Sequence, residues 1–225
     1  MHEGRKKRYI IAASLAAAAI SIALYYAAEA NPYKNSRLWN FDSYQENSIP
    51  TEFFSIQAGV GERGTWIVKS DDSAISKPNV IESSSNNYTE SSYQMLIISD
   101  RGYTSFKAVV KFKIISGDKE QAAGLAFRFQ DRNHYFVLVA DAVNDRFSLC
   151  RAEPDKLICT QDEKAEIQPD RWYNITAHVA AQGIAGYLDD ELLVQRYDQH
   201  YTSGAIGLWT KGDSVAYFDD LKIDY

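Results

Sequence analysis

Residues 104–116, TSFKAVVKFKIIS, set Phe106, Ala108, Val110, Phe112 and Ile114 in alternation with Lys107, Val109, Lys111, Lys113 and Ile115. Successive side chains of a strand point to opposite faces, so a period of two specifies a half-buried β-strand with one wet face. Similar runs begin at Tyr93, Ala123, Tyr135, Trp172, Ile184, Glu191, Ala205 and Val215. Turn signals lie between many of them, at Gly117-Asp118, Asp131-Arg132-Asn133, Gln182-Gly183, Asp189-Asp190 and Gly212-Asp213. No stretch of 10 or more residues after position 30 carries apolar residues at helical spacing. The chain is therefore all-β, sheet packed on sheet, rather than a series of βαβ units. At 225 residues, 45% of them apolar, it can bury one large sandwich core, and neither a disordered nor a collagen-like chain has this composition. The Ser-rich stretch 69–92 is the weakest in pattern and is expected to wrap an edge as loops, with a short strand at 79–82.

The amino terminus is built differently. Arg5, Lys6, Lys7 and Arg8 against Glu3 give residues 1–8 a charge of +3, so the chain's -6 becomes -9 without them. So acidic a remainder lacks the clustered cations that phosphate backbones require, and nucleic acid is discounted as a partner. Residues 9–28, YIIAASLAAAAISIALYYAA, carry no charge, and a 20-residue helix spans the bilayer core of roughly 30 Å. The flanking cations place residues 1–8 in the cytoplasm and the rest outside, with Tyr25 and Tyr26 at the outer interface. Ala28-Glu29-Ala30 has the form of a signal-peptidase site, so a secreted chain cut after Ala30 is the alternative. The apolar stretch is longer than the usual signal core of roughly 7–15 residues, which favours a retained single-pass anchor in the cell membrane. The expected organisation is a tail (1–8), a transmembrane helix (9–28), a tether (29–37) and a sandwich domain (38–225).

Two cysteines, Cys150 and Cys159, stand in FSLCRAEPDKLICTQ. Folding this stretch about Pro154-Asp155 pairs Glu153 with Lys156, Ala152 with Leu157, Arg151 with Ile158 and Cys150 with Cys159. Opposed strand residues fall within disulfide reach, and a bond there agrees with export to an oxidising compartment.

NFDSYQENSIPTEFF, GTWIVKSDDSAISKPNVI, AAGLAFRFQDRNHYFVLVADAVNDRFSL and GAIGLWTKGDSVAYFDDLKI together resemble the concanavalin A-like lectin/glucanase superfamily, and within it the laminin G-like and 3-keto-disaccharide hydrolase-like exported domains. The resemblance runs from Leu38 to Tyr225 and includes Gly124, Arg128 and Asp131 in G-x-x-x-R-x-x-D spacing. It implies an antiparallel two-sheet jelly roll whose first and last strands lie together, with sugar bound on a concave face or by rim loops. The laminarinase-type members carry an E-x-D-x-x-E strand for retaining hydrolysis. This sequence lacks that strand, and no catalytic residue is assigned.

The candidate binding surface is the hairpin 123–142. A turn centred on Asp131-Arg132 puts Arg128, Tyr135, Val137, Val139 and Asp141 on one face, beside the small residues Gly124 and Ala126. Arg128 and Asp141 would bond sugar hydroxyls and Tyr135 would stack, whereas on a plain solvated sheet they would be ordinary charges. Trp39, Trp66, Trp172 and Trp209 read as packing residues. Trp209, flanked by Gly204, Gly207 and Gly212, is the one chosen for ligand contact. Asp219 and Asp220 are either structural or oxygen ligands for calcium, though without EF-hand spacing. The expected function is non-catalytic binding of carbohydrate or a glycosylated surface partner. The alternatives are a glycoside-processing hydrolase and an envelope interaction domain without a sugar site.

Overall fold

The structure, a computed structural model, describes residues 33–86, 89–99, 102–154 and 156–225. The basic tail, the apolar segment and the first part of the tether lie outside the described residues, as does Asp155. The described chain forms β1 (Ser36–Trp39), β2 (Phe53–Gly59), β3 (Thr65–Ser70), β4 (Asn79–Ser84), β5 (Ser92–Ile98), β6 (Phe106–Ser116), β7 (Ala122–Asp131) and β8 (His134–Asp141). It continues through β9 (Arg146–Glu153), β10 (Lys156–Lys164), β11 (Trp172–Ala180), β12 (Gly183–Leu188), β13 (Glu191–Tyr197), β14 (Ala205–Lys211) and β15 (Val215–Asp224). Among the described residues no helix is long and apolar enough to cross a membrane.

Two antiparallel sheets result. The first runs β13-β12-β11-β6-β15-β4-β3 with β1 also paired to β15, and the second runs β10-β9-β8-β7-β14-β5-β2. The first and last strands do lie together, Ser36 opposite Asp224 and Trp39 opposite Leu221. Ser36 and Arg37, assigned to the tether from sequence, are therefore part of the sheet. The Ser-rich stretch holds a longer strand than expected, because β4 continues to Ser84 along its partners β3 and β15.

The alternation in β6 sets the core. Phe106, Ala108, Val110, Phe112 and Ile114 are buried, and they join Leu125, Phe127, Phe136, Leu138, Phe218 and Ile223 in one layer between the sheets. Phe106 meets Phe127 edge-on across the layer with centroids 6.1 Å apart. Each such side chain contributes about 1.5–3 kcal/mol by leaving water. The wet face is less uniform than the pattern suggests. Lys107 is exposed, but Lys113 is only 6% exposed. Its Nζ lies 5.4 Å from the ring centroids of Trp172 and Tyr217 and donates to Ser73 Oγ at 2.6 Å. The loop between β3 and β4 folds over this face, so the ammonium is held among rings rather than in water.

The β9–β10 hairpin has the register read from sequence, from Lys156 opposite Glu153 to Cys159 opposite Cys150, and a disulfide joins the two cysteines. The bond closes a sequence separation of 9 residues. A loop of that size restricts the unfolded chain by about 2–3 kcal/mol. The double variant Cys150→Ala/Cys159→Ala is expected to lose about that much unfolding free energy in urea titration. Equal stability with and without the bond would show that the hairpin is held by packing alone.

Candidate functional site

The β7–β8 hairpin has the predicted pairing for most of its length, with Ala122 opposite Asp141, Gly124 opposite Val139 and Ala126 opposite Val137. The register shifts between Phe127 and Asp131, and the turn falls at Arg132-Asn133, with Asp131 opposite His134. Arg128 sits in this bulge at φ 49°, in the left-handed region. Arg128, Phe129 and Gln130 here face Tyr135 alone, which breaks the alternation, so Arg128 leaves the face it was assigned. It is fully buried, with Nη2 donating to the Ala181 carbonyl and Nη1 to the Asp198 carbonyl at 3.5 Å. Burial lowers its pKa, and Asp198 opposes that shift.

Asp198 anchors a charged cluster at this end of the sandwich. Its carboxylate accepts from Arg151 Nη1 at 3.3 Å, Arg196 Nε at 3.2 Å and the His200 backbone N–H at 2.9 Å, and it contacts His200 Nδ1 at 2.6 Å. Burial raises the pKa of Asp198, but the bonds from His200 and the charge of Arg151 hold it below the usual range. These contacts tie β9, β13 and the following connection together. Arg128 belongs to that structural cluster and not to an open binding face.

Gly124, Ala126, Tyr135, Val137 and Val139 do share the outer face of the second sheet. The space left by the small residues is filled from within the protein. A Cβ on Gly124 would lie 2.5 Å from the Leu138 carbonyl oxygen and 3.2 Å from Cε3 of Trp209, so the glycine admits both the neighbouring strand and the indole. Trp209 is 0% exposed, and Tyr93 stacks on it with centroids 5.4 Å apart and planes at 22°. The ring offered to solvent is thus Tyr93, which the sequence reading missed. Tyr93 belongs to a nearly unbroken apolar run, and only the pairing of β5 with β14, Met95 opposite Trp209, brings it over the indole.

Tyr93 lines a depression of about 240 Å³, together with Gly59, Ser91, Asn133, Tyr135 and Lys156. Arg132 and Glu153 complete its polar rim. Arg151 at 2.6 Å and Lys156 at 3.2 Å flank the Glu153 carboxylate and hold its pKa below the usual range. The arrangement combines an aromatic wall with a few polar groups able to fix a ligand's orientation.

The remaining candidates lie elsewhere. Asp141, at the far end of β8, accepts from Val143 N at 3.0 Å, Asn144 N at 3.1 Å and Asn144 Nδ2 at 2.8 Å, which closes its own turn. Asp219 is buried and accepts from Ser76 N and Ser76 Oγ, each at 2.9 Å, and from Asp220 N at 2.7 Å. Asp220, at φ 47°, pairs with Lys111 at 3.2 Å. The two carboxylates are engaged separately. Among the described residues no group of three or more His, Cys, Asp or Glu side chains is placed to hold a metal ion.

Two outcomes follow from this geometry. Arg128→Ala leaves two carbonyls without their donor and opens a cavity, and is expected to cost on the order of 2–4 kcal/mol in urea titration. Burial pushes the Asp219 pKa up to about 6 against bonds from Ser76 and Asp220 that lower it. A raised carboxyl pKa contributes stability that is full below the unfolded value near 4 and is lost as pH rises through about 6. Relative to Asp219→Asn, the wild type should lose on the order of 2 kcal/mol between pH 4 and pH 7.5. Parallel stability–pH curves would refute that assignment.

No protein-family model matches the sequence, and no curated protein is similar to it in sequence. Solved structures do match. The carbohydrate binding module CBM66 from Bacillus subtilis superposes with a TM-score of 0.64 at 19% identity, over 78% of this chain and 96% of that one. The cellulose induced protein Cip1 gives 0.58 at 11% identity, over 83% and 96%. A Bacillus licheniformis beta-glucanase gives 0.54 at 8%, over 85% and 98%. At these identities the likeness concerns architecture alone, and it agrees with the strand order described above: the chain shares the two-sheet antiparallel sandwich fold of these structures.

Proposed function

We propose that this chain is a non-catalytic carbohydrate-binding module, held at the outer side of a membrane by residues 9–28, with its ligand face on the outer side of the second sheet. The observation that carries the reading is the partly exposed ring of Tyr93, backed by buried Trp209 and set in a depression with a polar rim. An aromatic ring packs against the apolar face of a sugar, and the rim groups bond its hydroxyls. The fold shared with a carbohydrate-binding module lends support, although fold alone does not fix function. The hydrolase alternative needs two or more acids converging on a pocket with Arg128. Among the described residues Glu153 is the only acid lining this depression, and Arg128 does not line it.

The full-length chain, purified in detergent from an oxidising compartment, should retain members of a broad glycan array. Tyr93→Ala should weaken that binding at least about tenfold, equivalent to about 1.4 kcal/mol, with the fold intact by circular dichroism. Equal retention by wild type and Tyr93→Ala would move the site off this face. Repeating the array with and without calcium tests the ion. For the anchor, cell fractionation should leave the intact chain in membranes after alkaline carbonate extraction. Release of a chain with the mass of residues 31–225 would replace the anchor with a cleaved signal.

A further inference from the structure

The loop between β2 and β3 borders two recesses at one end of the sandwich. Gly59 and Val60 line the depression that holds Tyr93, and Gly61, the next residue, lines a second recess of about 310 Å³. Consecutive Cα atoms are about 3.8 Å apart, so a single peptide forms the crest between them. The chain from the end of β4 to the start of β5 is shared in the same way, with Ser84 and Asn86 beside the second recess and Ser91 beside the depression. The second recess is a polar cleft, to which Arg63, Thr65, Ser84 and Asn86 bring a guanidinium, two hydroxyls and an amide. Val60, 64% exposed, stands at the crest as an apolar group in water. Gln94 holds this loop from beneath. It is 0% exposed, its Oε1 accepts from the Gly64 N–H at 2.7 Å, and its Nε2 donates to the Glu62 carbonyl at 3.1 Å. A Cβ on Gly64 would lie 2.7 Å from the Ser84 carbonyl oxygen, so glycine lets the loop close onto β4. Tyr93 and Gln94 are adjacent in β5 and point to opposite faces, so one strand sets the ring in the depression and fixes the loop that bounds both recesses.

We propose that the two recesses are one site, and that its ligand is an oligosaccharide with one unit against Tyr93, the next across Val60 and further units in the cleft, where Arg63, Thr65, Ser84 and Asn86 bond their hydroxyls. The inference rests on the sugar-binding reading of the Tyr93 face and adds the class of ligand, a chain of several units rather than a single sugar. Volume supports the longer ligand. Small-molecule sites enclose roughly 300–1,000 Å³. The depression, at about 240 Å³, falls below that range and holds part of a ligand, whereas the two recesses together fall within it. The sequence of surfaces also fits a sugar chain, which offers apolar ring faces and hydroxyls in turn: an aromatic ring, an aliphatic side chain, then polar groups. Because Gln94 already fixes the loop, binding pays little for ordering it.

The test titrates the full-length chain in detergent, by calorimetry, with glucose, xylose, mannose, galactose and fructose oligosaccharides of increasing length, from the disaccharide to the hexasaccharide. In the series that binds, affinity should rise at least about tenfold over that range, as added units reach the cleft. The double variant Arg63→Ala/Thr65→Ala should remove the rise and leave the disaccharide at its wild-type affinity, whereas Tyr93→Ala should weaken every length. Both substituted side chains are exposed, so the melting temperature of the double variant should match the wild type. Asn86→Ala approaches the cleft from the other loop, and it should lower the affinity of the hexasaccharide and not that of the disaccharide. Affinity independent of length, or a rise that survives both cleft variants, overturns this inference and leaves the Tyr93 site standing. Equal weakening of disaccharide and hexasaccharide by the double variant overturns it too, since the cleft would then hold no separate units. A wild type that binds no probe of any length overturns the sugar reading together with it.

Discussion

The apolar layer between the two sheets is the interaction on which the molecule depends. Alternate residues of β6, from Phe106 to Ile114, meet Leu125, Phe127, Phe136 and Leu138 from the other sheet. β15 lies beside β6 in one sheet and β14 beside β7 in the other, so the chain crosses between the sheets. This layer fixes the parity of every strand, and parity decides which side chains reach a solvent face.

Bulges are where that parity is broken. At Arg128 two extra residues opposite β8 turn a guanidinium into the sandwich, where carbonyls of Ala181 and Asp198 receive it. On β15 the register shifts between Asp219 and Lys222, with Asp220 in the left-handed region and Asp219 buried against Ser76. Both sites hold charge in the interior, and both charges are met by groups from distant parts of the chain. Breaking one side of such an arrangement costs more than the net contribution of the contact, because the partner stays buried.

The outer face of the second sheet follows a different logic. Its second apolar cluster gathers Met95, Ile97, Ala126, Tyr135, Val137 and Trp209, all from strands of the same sheet. The Trp209 ring lies against Gly124, so no open hollow is left there. What remains for a ligand is the side of that cluster where Tyr93 meets the polar rim.

Period-two patterning, turn residues and the spacing of two cysteines were enough to specify an all-β sandwich and the register of the β9–β10 hairpin, because both depend on neighbours close in sequence. The shared face of Gly124, Ala126, Tyr135, Val137 and Val139 was legible for the same reason. Arg128 was misplaced because its bulge is stabilised by carbonyls more than fifty residues away, at Ala181 and Asp198. Tyr93 was missed because a tyrosine in an apolar run gives no sign of which ring it will cover. The class of fold and the local pairings were legible in the chain, because they follow from side-chain alternation and short-range hydrogen bonding. Which rings are covered, which charges are buried and where the depression opens were not, because those depend on contacts between residues far apart in the chain.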